Sequence, residues 1–140
     1  MEEKMLEHVV EAVTRACKQQ NMTLALARRL IARVERRARE MGVQVVVAVS
    51  NAAGHPVAVA CMDDAYIASF DIALQKAFTV AALKMSTAQL KILAQPGGAL
   101  YGIEQTNGGR IVIFGGGEPL LHAGRLIGGL GVSGGNEAQD

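Results

Sequence analysis

Apolar residues recur with helical spacing in three segments of the chain. In the first, residues 4–18, they lie three and four positions apart, which predicts an amphipathic helix. In the second, Thr23 is suited to cap a helix whose apolar stripe runs to Met41, and Gly42 is placed to end it. The third segment, residues 65–85, carries only three charged side chains among good helix formers, so we expect a long helix that packs against much of its circumference.

Two apolar runs between the second and third helices predict a β-hairpin. Residues 43–50 are rich in valine, and residues 55–62 follow after a turn at 51–54. The first run is apolar at almost every position, whereas a strand with one face in water alternates between apolar and polar residues. The hairpin is therefore expected in a sheet that is covered on both faces.

The last third of the chain is rich in glycine, since 14 of the 16 glycines follow residue 96. This composition predicts turns and short strands, and after a short helix at 88–93 we expect strands at 110–114, 120–122 and 125–132. With the hairpin, these strands make a central antiparallel sheet of about five strands. The order of elements predicts one α/β (α+β) domain over residues 1–140, with helices on both faces of the sheet.

Composition and charge exclude several classes of partner. Fourteen basic and thirteen acidic side chains leave a formal net charge of +1, so no overall field favours nucleic acid or an anionic membrane. The charged N-terminus lacks the apolar run of a signal peptide or a membrane span, so we expect a cytoplasmic protein. The arginines of the second helix interleave with Glu35 and Glu40 away from the apolar stripe, which indicates a solvated face rather than a nucleic-acid surface.

The cysteines and histidines do not form a metal-binding pattern. Cys17 and Cys61 lack Cys-x-x-Cys spacing and a neighbouring histidine cluster, so we expect two buried thiols, no disulfide and no metal site. His55 follows a turn and His122 precedes one, which places both near the surface. His8 lies between apolar neighbours on the first helix, where a packed or interface histidine is as consistent with the sequence as an exposed one.

Four motifs occur in an order that is typical of one protein family. The turn Asn51-Ala52-Ala53-Gly54 resembles an Asp-x-x-Gly turn, and a Met-Asp pair follows it at 62–63. Lys76-Ala77-Phe78-Thr79 resembles a Lys-Ala-x-Thr-Ala signature, and residues 124–134 resemble a closing Gly-Val-Ser-Gly hairpin. On these motifs, which span residues 23–135, the chain resembles the HbpS/GlcG family of haem-binding proteins, which is related to the C-terminal domain of PduO.

The resemblance implies a profilin-like α/β/α sandwich, assembly into a homo-oligomer with an octamer as the expected form, and a small-molecule ligand. That ligand is expected to be haem, with a corrinoid as the alternative. Thr79 falls at the position of the family's haem contact, and Asn51 replaces the usual aspartate of the hairpin turn. The residues predicted to bind the cofactor are Thr79, Lys76, His55, Asn51, Ser133 and Gly134.

Several of these positions have a second interpretation. A threonine oxygen is a weak donor to haem iron, so Thr79 would depend on pocket shape and on cations that meet the propionates. Alternatively, Thr79 bonds a carbonyl one turn back and Lys76 extends to solvent. The amides at Gly134 are placed to hold an anion, or they simply belong to hairpin geometry. Gly129-x-Gly131-x-x-Gly134 matches a dinucleotide fingerprint. The six residues that follow Gly134 are too few for the helix and second strand of a Rossmann unit.

Three functional hypotheses remain open from the sequence. The leading one is an oligomeric small-ligand-binding protein, auxiliary to a diol, glycerol or glycolate utilisation pathway, with helix 4–18 as an assembly element. The second is an enzyme that degrades haem or processes a small hydroxy acid, although no nucleophile elbow or His-Glu-x-x-His motif marks catalytic residues. The third is a structural subunit without a ligand.

Overall fold

The computed structural model describes residues 2–19 and 21–135. The described residues form, in chain order, α1 (Glu2–Gln19), α2 (Leu24–Met41), β1 (Val46–Asn51), β2 (Pro56–Cys61), α3 (Ile67–Leu83), α4 (Thr87–Leu93), 3-10 turns at Ile103–Gln105 and Asn107–Gly109, β3 (Gly117–His122) and β4 (Arg125–Ser133).

The strands form one antiparallel sheet in the order β2-β1-β4-β3. The register pairs Val46 with Ser133 and Asn51 with Gly128, so the first and last strands of the chain lie side by side at the centre of the sheet. This confirms the predicted fold class. The described residues contain four strands rather than the expected five, because residues 110–114 do not form one.

The segment 110–114 fails to form a strand because its backbone is bonded to a helix. The Val112 N–H donates to Thr79 Oγ1 at 3.0 Å instead of to a neighbouring strand, and Ile111 is buried. The run of β-branched residues at 111–113 correctly indicated burial. It did not indicate pairing, because an irregular segment that lies against a helix buries the same side chains.

α2 begins and ends where local signals predict. Thr23 Oγ1 accepts from the Leu26 N–H at 3.1 Å, and Gly42 closes the helix at φ 72°. The buried face of α2 packs on one side of β1 together with β4, in a cluster of Met22, Ala27, Ile31, Ala38, Val45, Val47, Val49, Ile127 and Val132.

α3 packs on the opposite face of the sheet. There Val46 and Ala48 of β1 meet Ala73 and Ala77, so β1 is covered on both faces as predicted. A Cβ at Gly129 or Gly131 would overlap the carbonyl oxygens of Ala77 and Ala73, respectively. Glycine is therefore required in β4 to let the helix backbone approach the strand directly.

The prediction that both cysteines are buried is wrong for Cys61, which is exposed. Cys61 lies at the end of β2, an edge strand whose residues are partly open to solvent. The side chain of Cys17 lies outside the described residues. Among the described helices, we find none that combines the length and the apolar character needed to cross a membrane.

Candidate functional site

The structure distributes the six predicted cofactor-binding residues over three places. Because α3 runs antiparallel to β4, one end of the sheet carries the two hairpin turns and the end of α3, and the other end carries the start of α3. The hairpin-turn end holds Asn51 and His55, the α3–sheet interface holds Lys76 and Thr79, and the opposite end of β4 holds Ser133 and Gly134.

Thr79 is fully buried, and its hydroxyl group has backbone partners. Oγ1 lies 2.7 Å from Gln75 O and 3.2 Å from Arg110 O, and it accepts the Val112 N–H at 3.0 Å. The contact with Gln75 O is the bond to a carbonyl one turn back that the sequence offered as an alternative. In this arrangement Thr79 fixes residues 110–112 against α3. Its contact with a cofactor stays a prediction.

Lys76 is also fully buried, so the interpretation that its side chain extends to solvent is wrong. Nζ donates to Val132 O at 2.8 Å and lies 5.0 Å from the centre of the Phe114 ring. A buried ammonium group needs hydrogen bonds and π contact to offset the loss of water. Lys76 thereby joins α3, β4 and the irregular segment 110–114, and its role in binding a ligand stays a prediction.

Asn51 organises the turn that carries His55. Asn51 Oδ1 accepts from the Ala53 N–H and from the His55 N–H, both at 3.0 Å. This side-chain turn fixes the backbone of a four-residue connection, while the His55 side chain remains exposed. His122 is exposed as well, which confirms the surface position predicted for both histidines. His8 is exposed on α1.

Ser133 and Gly134 lie at the opposite end of the sheet. Ser133 is buried, and its Oγ lies 3.3 Å from Ser69 Oγ on α3. Gly134 has φ 146°, and a Cβ there would overlap Gln44 O, so the close approach of the neighbouring backbone accounts for this glycine. Gly134 borders a cleft of about 470 Å³, and among the described residues that line it the charged one is Asp64.

A second cleft lies at the hairpin-turn end and has a different character. It has a volume of about 600 Å³, and we refer to it as the turn-end cleft; its lining residues are Ala52, Lys84, Leu121, Gly124, Arg125 and Leu126. It joins the β1–β2 turn, the end of α3 and the β3–β4 turn. Sequence reasoning missed this set because its members come from three separate segments.

The turn-end cleft combines an apolar wall with positive charge. Leu121 is 62% exposed and Leu126 is half-buried, while the two charged lining residues, Lys84 and Arg125, are both cationic. Lys84 is held at the end of α3 in a left-handed conformation at φ 58°, where it caps the helix. The cleft is therefore suited to an anionic ligand with an apolar body.

One histidine lies next to each of the two turns that border this cleft. His55 follows the β1–β2 turn, and His122 pairs with Arg125 across the β3–β4 turn. The described residues contain no group of three or more histidine, cysteine, aspartate or glutamate side chains arranged to hold a metal ion.

The architecture defines a class of small α+β domains with an antiparallel sheet between two helical layers. The chain belongs to the family described as "Haem degrading protein HbpS-like", which matches residues 22–140. The family resemblance inferred from the four motifs is thus confirmed.

Similar proteins include two from Citrobacter freundii and Salmonella typhimurium. A 15.0 kDa protein of Citrobacter freundii, from the dhaT-dhaS intergenic region, is 44% identical over 119 residues, which are 85% of this chain and 84% of that protein. The corrinoid adenosyltransferase PduO of Salmonella typhimurium is 46% identical over 104 residues, which are 74% of this chain but 31% of PduO. A crystal structure of a PduOC:heme complex is 39% identical, with a TM-score of 0.82, over 85% of this chain and 86% of that chain.

Proposed function

We propose that the protein binds haem, and that the haem lies in the turn-end cleft. The observation that carries this proposal is the composition of the cleft, in which Leu121 and Leu126 lie beside Lys84 and Arg125. Haem has an apolar macrocycle and two carboxylates, so it needs this combination of surfaces. The haem complex of the relative that is 39% identical supports the choice of ligand.

The dimensions of the cleft agree with this ligand. Sites for small molecules and cofactors commonly enclose roughly 300–1,000 Å³, and the turn-end cleft measures about 600 Å³. The propionates would meet Lys84 and Arg125, because charge-assisted hydrogen bonds are stronger than neutral ones. The cleft at the opposite end of the sheet includes Asp64 among its described lining residues, and this carboxylate would repel the propionates.

Histidines on the bordering turns are the proposed iron donors. Haem iron takes histidine, cysteine, methionine or tyrosine as an axial ligand. His55 and His122 are the candidates because each lies next to a turn that borders the cleft. Asn51 would act by holding the His55 backbone in place. Lys76 and Thr79 would act from inside the fold, since their polar atoms bond the segments that support the site.

A haemin titration followed at the Soret band tests this proposal. Replacing both cations, Lys84→Gln with Arg125→Gln, should weaken haemin binding at least about tenfold, since one charge-assisted bond contributes about 1.5–3 kcal/mol. Arg36→Gln, an exposed arginine on α2, is the matched control and should bind like the natural chain. Equal affinity in all three proteins would exclude the turn-end cleft, and the lack of any saturable Soret shift would exclude haem.

The iron donor is identified by the same spectra on single histidine variants. His55→Ala or His122→Ala should move the Soret maximum or lose binding, while His8→Ala should leave the spectrum unchanged. If none of the three variants changes the spectrum, then neither turn histidine donates to the iron. Cysteine, methionine and tyrosine would then be tested in the same way.

A corrinoid is the second candidate ligand. The name of the PduO relatives, corrinoid adenosyltransferase, favours it, although the matching region covers 31% of PduO. Hydroxocobalamin carries amides in place of the two propionates and has a single anionic phosphodiester, so Lys84→Gln with Arg125→Gln should weaken its binding less than that of haemin. Saturable binding of hydroxocobalamin without binding of haemin would mean that the ligand is a corrinoid rather than haem. Loss of the Soret band with release of iron under a reductant would instead favour a haem-degrading enzyme.

A further inference from the structure

α1 presents an apolar stripe to solvent. Met5 and Leu6 are each 65% exposed, Val9 is 53% exposed and Val10 is 56% exposed. α1 has 18 residues, and most helical stability in proteins comes from packing of the apolar face rather than from helix propensity. The stripe therefore needs a surface to pack against.

A groove of suitable chemistry runs along the second half of α2. It has a volume of about 180 Å³, and we refer to it as the α2 groove; its lining residues are Val34, Arg37, Ala38, Met41, Val43, Val45, Leu130 and Val132. All of these are apolar except Arg37. A volume of this size accommodates one or two aliphatic side chains of a docked helix.

The two helices carry complementary charge. Residues 2–11 of α1 contain four glutamates and one lysine, and Glu3, Glu7 and Glu11 recur every four residues on one side of the helix. α2 contains six arginines and two glutamates. Arg37 borders the groove with its side chain 70% exposed, and its surface ion pair with Glu40, 3.3 Å long, contributes little. An acidic helix is therefore attracted to the rim of the α2 groove.

We propose that α1 of one copy of this chain docks in the α2 groove of a second copy. The stripe of α1 and the groove are both exposed in the single chain, so α1 does not fill its own groove. Two residues, Gln20 and Asn21, separate α1 from Met22, whose N–H donates to Ile127 O at 3.2 Å. Thr23 then caps α2, so the start of α2 is fixed directly after this short connection. This inference is independent of the haem proposal.

Disulfide trapping between two full-length variants tests the docking. In a background with Cys17→Ser and Cys61→Ser, one chain carries Val9→Cys and the other carries Met41→Cys. Mixing them under mild oxidation should give a covalent heterodimer on a non-reducing gel. His8→Cys, on the polar side of α1, replaces Val9→Cys as the matched control and should give little or none. No heterodimer, or a yield equal to that of the control, would overturn the proposal.

Other products of the same experiment identify other arrangements. One chain can carry both Val9→Cys and Met41→Cys. If it forms only an intramolecular disulfide, whether dilute or concentrated, then α1 folds back on its own groove. Homodimers of Val9→Cys alone would mean that α1 pairs with α1. Both results would overturn docking between copies in the α2 groove.

Charge reversal provides a second, independent measurement. Changing Glu3, Glu7 and Glu11 to lysine should abolish the heterodimer, and changing Arg33 and Arg37 to glutamate in the partner chain should restore it. These residues are exposed, so their substitution should leave the fold intact, which circular dichroism checks. A heterodimer that persists in the reversed chain would show that charge plays no part in the docking.

Discussion

Thr79→Val separates a structural role for this residue from a role in binding the ligand. Valine has nearly the same shape as threonine but lacks the hydroxyl group. The Val112 N–H, which donates to Thr79 Oγ1 at 3.0 Å, would lose its acceptor beside a fully buried side chain. An unsatisfied buried donor costs about 1–3 kcal/mol, so we expect the free energy of unfolding to fall by about 2 kcal/mol.

Thermal and urea unfolding measure this loss. A chain of this size loses roughly 2–4 °C in Tm per kcal/mol, so Thr79→Val should unfold about 4–8 °C below the natural protein. Thr79→Ser is the control, because it keeps the hydroxyl group and removes one methyl group. Its cost should be about 1 kcal/mol, from lost apolar burial alone.

Two results would refute this reasoning. If Thr79→Val and the natural chain had the same Tm, the hydrogen bond from Val112 would not hold the 110–114 segment. If Thr79→Val lost haemin affinity while its stability stayed at the natural value, Thr79 would act as a ligand contact rather than as an internal support. In both cases the assignment of Thr79 to the interior of the fold would be wrong.

Two further substitutions test the backbone geometry. Gly131→Ala should destabilise the fold by at least about 3 kcal/mol, because its Cβ would overlap the α3 backbone. Gly124 has open space around it at φ 78°, so Gly124→Ala should cost only about 1–2 kcal/mol. Urea unfolding measures both losses. Equal losses would contradict direct contact between α3 and β4. Asn51→Ala should cost about 1 kcal/mol because two turn amides lose their acceptor, and Asn51→Asp, which keeps that acceptor, should match the natural chain.

The parts of the fold that depend on neighbouring residues could be predicted from the sequence. The ends of α2 follow from Thr23 and Gly42, because a cap and a left-handed glycine act within one helical turn. The burial of β1 on both faces follows from its unbroken apolar run. The family follows from four motifs whose order is preserved.

The parts that depend on distant partners could not be predicted. Lys76 is buried because Val132 and Phe114, far along the chain, supply its contacts. Cys61 is exposed because β2 is an edge strand, which a sequence pattern does not reveal. The turn-end cleft needs Ala52, Lys84 and Arg125 to meet from three segments, and no local spacing indicates that they do.

The position of β4 also determines when this protein can fold. During synthesis the ribosome delivers β1 and β2 early, but β1 stays unpaired along one side until the last strand emerges. Val46 and Ser133, which pair, are separated by more than half of the chain, so closing the sheet requires a long loop to close first. In that interval the valine-rich edge of β1 is open to other chains. The yield of native protein should thus depend on how quickly β4 joins the early hairpin.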